Sequence, residues 1–327
     1  MNRDVKVTVY CAAYNHEPYI REALDGFVMQ KTSFDFEVLV HDDASTDKTA
    51  EIIREYEENY PEIIKPIYQA ENQYSQGVNR VYTWLLPRTR GKYVAICEGD
   101  DYWTDPYKLQ KQYDYMEAHP SCSLVAHLAE TLYTETGLCM PYTSLDFSAP
   151  ERCSLDAPTL IRNHLIFPTA AMFFRTDYYT RNAEFLLSIK TYDYVNKILL
   201  ASEGEVHVIP EVMSVYRQGV AGSWTNRIQA DPKKFEQHME LSVHNLTKIN
   251  EYTSYRFDEA IQKSIVKRRF DAYYALGRLQ VLKREPYAGL YRSLTPKQKA
   301  FLYMKRYTPH LAAFVDKTNT AIKRKKK

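Results

Sequence analysis

The sequence predicts an α/β fold, a mixed and mostly parallel sheet flanked by helices, with a helical extension at its C-terminal end. Three observations carry that expectation. In the first third, β-branched apolar runs alternate with stretches whose apolar residues recur at helical spacing, the pattern of a parallel sheet wrapped on both faces. Beyond Trp224 the pattern becomes one of long helices. Charge divides at the same place: residues 225–327 hold 23 Lys and Arg against 9 Asp and Glu, while residues 1–224 hold 20 against 32. The expected organisation is an acidic catalytic domain over 1–224 and a basic helical region over 225–327 that faces an anionic surface.

The elements follow in order. Val5–Cys11 is apolar and β-branched and reads as the first strand; Tyr19–Met29 has helical periodicity; Phe36–Val40 is the second strand. Ser45 and Thr46 offer N-caps to a helix that places Ile52, Ile53 and Tyr56 on one side and stops near Pro61. Ile64–Tyr68 is a third strand, Arg80–Leu86 a helical stretch and Tyr93–Cys97 a fourth strand. Asp105-Pro106 suits the start of a helix over Lys108–Ala118, which ends at His119-Pro120. Ser123–His127, Ala170–Phe174 and Val206–Ile209 are further strands, with a helix from Asp193 to Ala201. Tyr133–Ala157 is rich in turn formers and is expected to be a surface insertion over the site. Met239, Leu241, Ile261, Ile265, Phe270 and Leu279 mark the apolar sides of the later helices.

Composition narrows the function. At 45% hydrophobic and 26% charged residues the chain is ordinary globular protein, and disorder or a fibrous repeat is excluded. Five cysteines without a C-x-x-C pair suit reduced thiols in a cytosolic compartment better than a zinc cage or a disulfide scaffold. There are only 10 glycines, and neither G-x-G-x-x-G nor G-x-x-x-x-G-K-[ST] occurs. No stretch reaches the roughly 18 apolar residues of a membrane span. A cytoplasmic protein, peripheral at the inner face of the cell membrane, is the expectation.

In a parallel α/β sheet the ligand lies beyond the carboxyl ends of the strands. Those ends are acidic here: Asn15-His16-Glu17 after the first strand, His41-Asp42-Asp43 after the second, Glu98-Gly99-Asp100-Asp101 after the fourth. Carboxylates gathered at one edge repel one another unless a cation sits between them. Oxygen-only donors fit a hard divalent ion, Mg²⁺ or Mn²⁺, which is commonly held by one or two carboxylates together with substrate phosphates. A nucleoside diphosphate leaving group matches that chemistry without a glycine-rich phosphate loop.

Four segments, VTVYCAAYNHEPYIREAL (7–24), FEVLVHDDASTDKTAEII (36–53), GKYVAICEGDDYWTDPYKLQKQ (91–112) and YDYVNKILLASEGEVHVIPEVMSVYR (192–217), resemble in sequence and order the family 2 glycosyltransferases, which have the Rossmann-like GT-A fold. The resemblance spans about residues 5–224 and leaves the helical tail uncovered. It implies an inverting transfer of a sugar from a nucleotide-sugar donor, a UDP-sugar foremost, to a hydroxyl of a glycan or lipid-linked acceptor in cell-surface polysaccharide synthesis. It implies further that Ala12, Tyr14 and Asp43 line the nucleotide pocket, with Tyr14 stacking and Asp43 accepting from a ring N–H. Asp100 would reach ribose or metal, Asp101 would ligate the metal, and Glu98 stands where many relatives carry aspartate. Asp193 matches the general base, which takes the acceptor hydroxyl's proton as it attacks the anomeric carbon. Arg217 of the Tyr216-Arg217 pair would neutralise charge on the departing diphosphate; the histidine that many relatives carry just beyond is replaced by Gln218-Gly219-Val220.

Each residue also has a plainer reading. Asp42-Asp43 followed by Ala-Ser-Thr-Asp is a turn with capping residues, Asp100-Asp101 a solvated turn, Asp193 a helix cap, Trp103 a packed aromatic and Arg217 a structural ion-pair partner. Their joint occurrence after strand-like runs favours the catalytic reading. Lys323–Lys327 reads equally as a solvated, disordered end or, with Tyr307–Ile322 and its Leu311, Phe314 and Val315 immediately upstream, as a tail that docks on an anionic membrane surface. Two rival functions are weighed. A sugar-nucleotide nucleotidyltransferase would carry a glycine- and lysine-bearing loop after the first strand. A nucleic-acid-binding protein would carry its basic charge on a recognisable motif; neither feature is found, and no nucleic-acid partner is expected.

Overall fold

The computed structural model describes residues 4–163, 165–189, 193–220, 231–308 and 310–311. By contacts the chain divides into two compact units: residues 1–134 with 139–218, and residues 135–138 with 219–327. The expected boundary at 225 lies outside the described residues.

Among the described residues ten strands form one sheet, all in the first unit save Leu138 at the start of β7: β1 (Val5–Ala13), β2 (Asp35–Asp42), β3 (Ile64–Tyr68), β4 (Tyr93–Ile96), β5 (Tyr102–Trp103), β6 (Cys122–Tyr133), β7 (Leu138–Pro141), β8 (Ser154–Leu155), β9 (Phe173–Arg175) and β10 (Glu205–Gln218). The order is β3-β2-β1-β4-β9-β6-β10-β5, with β7 beside β6 and β8 beside β10. The β1, β2, β3 and β4 pairings are parallel, as is β6 with β10; β9 runs antiparallel between β4 and β6 and so joins the two parallel blocks.

Seven helices accompany this sheet among the described residues: α1 (Ile20–Val28), α2 (Thr49–Asn59), α3 (Lys108–Ala118), α4 (Ala157–Arg162), α5 (Asp177–Arg181), α6 (Ala183–Ser188) and α7 (Asp193–Glu203). Thr8 and Tyr10 on one face of β1 are buried, and Val7, Val9 and Cys11 on the other are fully so, as expected for a strand covered on both faces. Ile20, Ala23, Leu24 and Phe27 share one stripe of α1 and join Val7, Val9 and Cys11 in one core with Val38, Val40 and Trp103.

Several expected elements shift. Ser45 and Thr46 do not cap α2, whose N-cap is Lys48; the Ser45 hydroxyl donates to Asp42 instead, because the loop must turn back towards β1 before the helix begins. Lys108, two residues beyond Pro106, opens α3. The stretch expected to be helical at Arg80–Leu86 is a π-helical turn, Val81–Leu85, followed by a 3₁₀ turn, Leu86–Arg88. Residues 133–157 are not irregular throughout, since they include β7, a 3₁₀ turn and β8. Val206–Ile209 is only the beginning of β10, which continues nine residues further to Gln218 along the whole of β6. Proline at 210 and glutamate at 211 break the apolar run, and register shifts between Ile209 and Ser214 accommodate them.

The second unit contains α8 (Pro232–Tyr252), α9 (Asp258–Ala275), α10 (Leu279–Leu282), α11 (Ala288–Ser293) and α12 (Pro296–Tyr307). Asp231 caps α8 through the backbone N–H groups of Lys233 and Lys234. Thr295 and Gln298 form a reciprocal capping box at α12, with Pro296 at its start. Phe270, Leu279, Leu282, Tyr287 and Leu302 make its local core. Among the described residues no helix is long and apolar enough to cross a membrane.

Candidate active site

The carboxyl ends of β1, β2 and β4 meet because the register brings them level. Ala13 pairs with Asp42, and Tyr10 pairs with Ile96. Three backbone bonds prolong that alignment past the strands: Asp43 N–H donates to the Ala13 carbonyl (2.9 Å), Cys97 N–H to Tyr10 (3.0 Å) and Gly99 N–H to Ala12 (2.9 Å). The acidic residues at 43 and 98–101 are therefore fixed relative to the end of β1 by main-chain geometry. Gly99 allows this close approach, since a Cβ would lie 2.8 Å from Ile20 Cδ1 and 2.9 Å from His16 Nδ1 and would push both side chains aside.

The loops after β1 and β2 brace each other. Asn15 N–H donates to the Ser45 hydroxyl (2.9 Å), Thr46 N–H to the Asn15 side-chain carbonyl (2.8 Å), and Glu17 N–H to Asp47 (3.0 Å). Asn15 and Ala44 both take left-handed backbone conformations, with φ of 54° and 60°. Asp43 is buried, and its two carboxylate oxygens accept the backbone N–H groups of Gln73 (2.7 Å) and Tyr74 (3.1 Å). It thus anchors the segment after β3; Tyr74 in that segment and Tyr14 after β1 are both exposed.

Asp101 is held from the far side of the sheet. Its carboxylate accepts the Arg217 backbone N–H at 2.8 Å, and the Arg217 guanidinium donates to the Asp100 carbonyl at 2.7 Å. That guanidinium also pairs with Glu22 at 2.8 Å and lies 4.4 Å from the Tyr102 ring centre and 5.3 Å from that of Tyr19. Pairing of β5 with β10, Tyr102 opposite Val215 and Trp103 opposite Ser214, makes the arrangement possible. Trp103 is buried edge-on against Phe27 and donates its indole N–H to Ala170, so it is a packed aromatic.

Electrostatics unite the acidic groups. Burial, then the charges of Asp193 and Asp100, pushes Glu98 up to about 7, and Arg80 works in the opposite sense. Burial followed by the Asp100 and Glu98 charges raises Asp101 well above the usual carboxylate range. Asp193, the first residue of α7, carries its charge close enough to act on Glu98, Lys197 and Tyr142. His16 Nε2 lies 4.0 Å from Asp100, while its buried Nδ1 finds no partner among the described residues. Glu98 thus feels Asp193 and Asp100, and Asp101 feels Asp100 and Glu98. The direct side-chain contacts of Asp43 are to the segment after β3.

This donor set fits a hard divalent ion. The groups are carboxylate oxygens whose repulsion Arg80 and Arg217 relieve only in part, and a cation among them would stabilise their ionised forms. Among the described residues no three His, Cys, Asp or Glu side chains converge on one point.

Two residues escaped sequence reasoning. Arg80 stands at the head of the π-helical turn with its guanidinium 3.8 Å from Glu98 and its side chain 43% exposed, an accessible cation at an acidic edge. The available signal was its isolation as the sole basic residue between Lys65 and Arg88. Lys197 is buried one helical turn beyond Asp193 and donates to the Phe167 carbonyl at 2.5 Å. Its signal was a lysine placed among the apolar residues of α7.

Comparison with known proteins follows the same lines. The family model described as glycosyl transferase family 2 matches residues 8–178. The uncharacterized protein Rv1520 of Mycobacterium tuberculosis is 36% identical over 229 residues, which is 70% of this chain and 63% of that protein, so the match spans less than two thirds of its length. The putative teichuronic acid biosynthesis glycosyltransferase TuaG of Bacillus subtilis is 34% identical over 110 residues, 34% of this chain and 41% of TuaG. Among solved structures, S. aureus TarS 1–349 in complex with UDP-GlcNAc has a TM-score of 0.53 at 18% identity, covering 92% of this chain and 87% of that one. The mannosyltransferase PcManGT from Pyrobaculum calidifontis, in complex with GDP-Man and Mn²⁺, has a TM-score of 0.58 at 19% identity, covering 96% and 90%. The curled, mostly parallel sheet is that of the GT-A fold, and the chain belongs to glycosyl transferase family 2.

Proposed function

We propose that the protein is an inverting, metal-dependent glycosyltransferase that moves a sugar from a nucleotide-sugar, a UDP-sugar foremost, to a hydroxyl of a glycan or lipid-linked acceptor in polysaccharide synthesis. The observation that carries this reading is the group of carboxylates at the carboxyl edge of the sheet, where Asp193 and Asp100 act on Glu98, and Asp100 and Glu98 act on Asp101. Complexes of structural neighbours with UDP-GlcNAc and with GDP-Man and Mn²⁺ support a nucleotide-sugar donor and a divalent ion.

In this reading Asp101 and Asp100, with Glu98 beside them, hold Mg²⁺ or Mn²⁺, which when bound neutralises charge on the diphosphate. Tyr14 offers an exposed ring to the base. Asp43 shapes the base pocket by fixing the amides of Gln73 and Tyr74, and Ala12 does so by holding Gly99 through its carbonyl. Arg217 holds the Asp100-Asp101 segment in place, its donors committed to Asp100 and Glu22. Arg80 is the cation left to meet the leaving diphosphate, where fixed positive charge lowers the barrier. Asp193, exposed at the start of α7, accepts the acceptor's proton as the oxygen attacks the anomeric carbon from the face opposite the nucleotide.

The expected polybasic membrane anchor, Lys323–Lys327, lies outside the described residues.

The test is a thermal-shift screen of UDP, GDP and their sugars with Mn²⁺, followed by transfer assays on two variants. Asp101→Ala is expected to lose metal-dependent nucleotide binding. Asp193→Asn is expected to keep binding and to lose transfer by 10²-fold or more, the order of a general-base contribution. Full transfer by Asp193→Asn would remove it from the role of base. Pyrophosphate release from a nucleoside triphosphate and a sugar phosphate would instead favour the nucleotidyltransferase.

A further inference from the structure

The second unit carries charge that the catalytic reading leaves unused. From Arg278 to Leu311 there are eight Lys and Arg and one acidic residue, Glu285. Part of this charge is organised on rings. Lys283 donates to the Tyr303 hydroxyl at 2.9 Å and lies 5.2 Å from that ring's centre and 5.9 Å from that of Tyr291. Lys299 lies 5.6 Å from the Tyr291 centre, and Tyr303 stacks on Tyr307 at 6.1 Å, with Arg306 6.0 Å from the Tyr307 centre. These contacts make one continuous patch over α10, α11 and α12. Lys299, Tyr303, Arg306 and Tyr307 also fall on one face of α12 by their spacing. The capping box and the buried Leu302 hold that helix in place.

We propose that this face is a docking surface for an anionic lipid bilayer. A positively charged patch complements acidic headgroups, and each Lys or Arg near such a surface adds to binding. The rings favour a bilayer over a soluble polyanion. Tyr303 and Tyr307 are 40% and 63% exposed, and Leu311 just beyond is 58% exposed. Tyrosine rings and a leucine gain from an interface that is polar at its surface and apolar beneath, and gain nothing from a hydrated polyanion. The surface is part of a folded unit and is distinct from the terminal lysine run. It does not depend on the transferase reading, because its readout is binding.

The test is co-sedimentation of the full chain with vesicles of phosphatidylglycerol and phosphatidylcholine, and with vesicles of phosphatidylcholine alone, at physiological salt. The wild type is expected to partition to the acidic vesicles only. Lys283→Glu with Lys299→Glu, and separately Tyr303→Ser with Tyr307→Ser, are expected to weaken that partitioning by at least tenfold with unchanged circular dichroism. Lys263→Glu with Lys267→Glu, an equal charge change elsewhere on the unit, is expected to leave it within about twofold. The proposal is overturned if the wild type does not bind, if it binds neutral vesicles equally, or if the control pair weakens binding as much. Loss only on removal of residues 323–327, or retention by a soluble poly(glycerol phosphate) with no vesicle binding, overturns it as well.

Discussion

Replacing Arg217 with methionine tests how the acidic segment is held. The guanidinium side chain is 3% exposed and makes three kinds of contact. Its bond to the Asp100 carbonyl is charge-assisted and part-buried, worth about 1.5–3 kcal/mol. Its stacking against Tyr102 adds about 1–2 kcal/mol in a desolvated setting. The pair with Glu22, whose side chain is 56% exposed, adds at most about 1 kcal/mol after screening. Methionine fills the volume and recovers about 1 kcal/mol of apolar burial, leaving a net loss of about 3 kcal/mol. Arg217→Lys is expected to lose more than half as much, since an ammonium cannot serve a carbonyl, a carboxylate and two ring faces together. Equilibrium urea denaturation measures this directly, and titration with UDP and Mn²⁺ is expected to show affinity reduced by tenfold or more. A stability change under 1 kcal/mol, with unaltered nucleotide affinity, would refute the reasoning.

Two further perturbations probe the framework. Lys108 is fully buried, donates to Gln112 at 2.6 Å and lies 4.0 Å from the Trp103 ring centre; burial brings its ammonium down to about 7. Between about pH 7 and the ordinary lysine value the unfolded chain binds a proton that the folded chain does not. Lys108 therefore makes stability rise with pH across that window, by up to about 1.4 kcal/mol per unit. Urea midpoints from pH 7 to 9 are expected to climb less steeply in Lys108→Met, and identical slopes would contradict the assignment. Gly91→Ala places a Cβ 2.4 Å from the Thr8 backbone nitrogen and 2.7 Å from the Val7 carbonyl carbon, neither of which can yield as a side chain would. A loss of about 3 kcal/mol is expected, read as a large fall in melting temperature; an unchanged one would mean that β1 and β4 separate more easily than their pairing suggests.

The local signals that sequence carries best are apolar periodicity and the residues that follow it. β3 spans the expected Ile64–Tyr68, and β1, β2 and β4 agree with expectation to within about two residues at each end. That sufficed to place Asp43, Glu98, Asp100 and Asp101 at strand ends, because in a parallel sheet the side chains after each strand share one edge whatever the rest of the fold does. Family resemblance then singled out Asp193, which no local signal distinguishes from a helix cap.

Tertiary structure decided what these residues touch. Asp43 is turned towards the amides of Gln73 and Tyr74, thirty residues away, and Arg217 reaches Asp100 from a strand whose second half proline and glutamate conceal. Arg80 enters the acidic edge from a π-helical turn that has no pattern of its own, and Lys197 is buried because α7 is enclosed on every side from Val195 to Ala201. Periodicity reports which side of an element is apolar. Hydrogen bonds between residues far apart in the chain, and the burial that raises Glu98 and Asp101, exist only once the strands are in register.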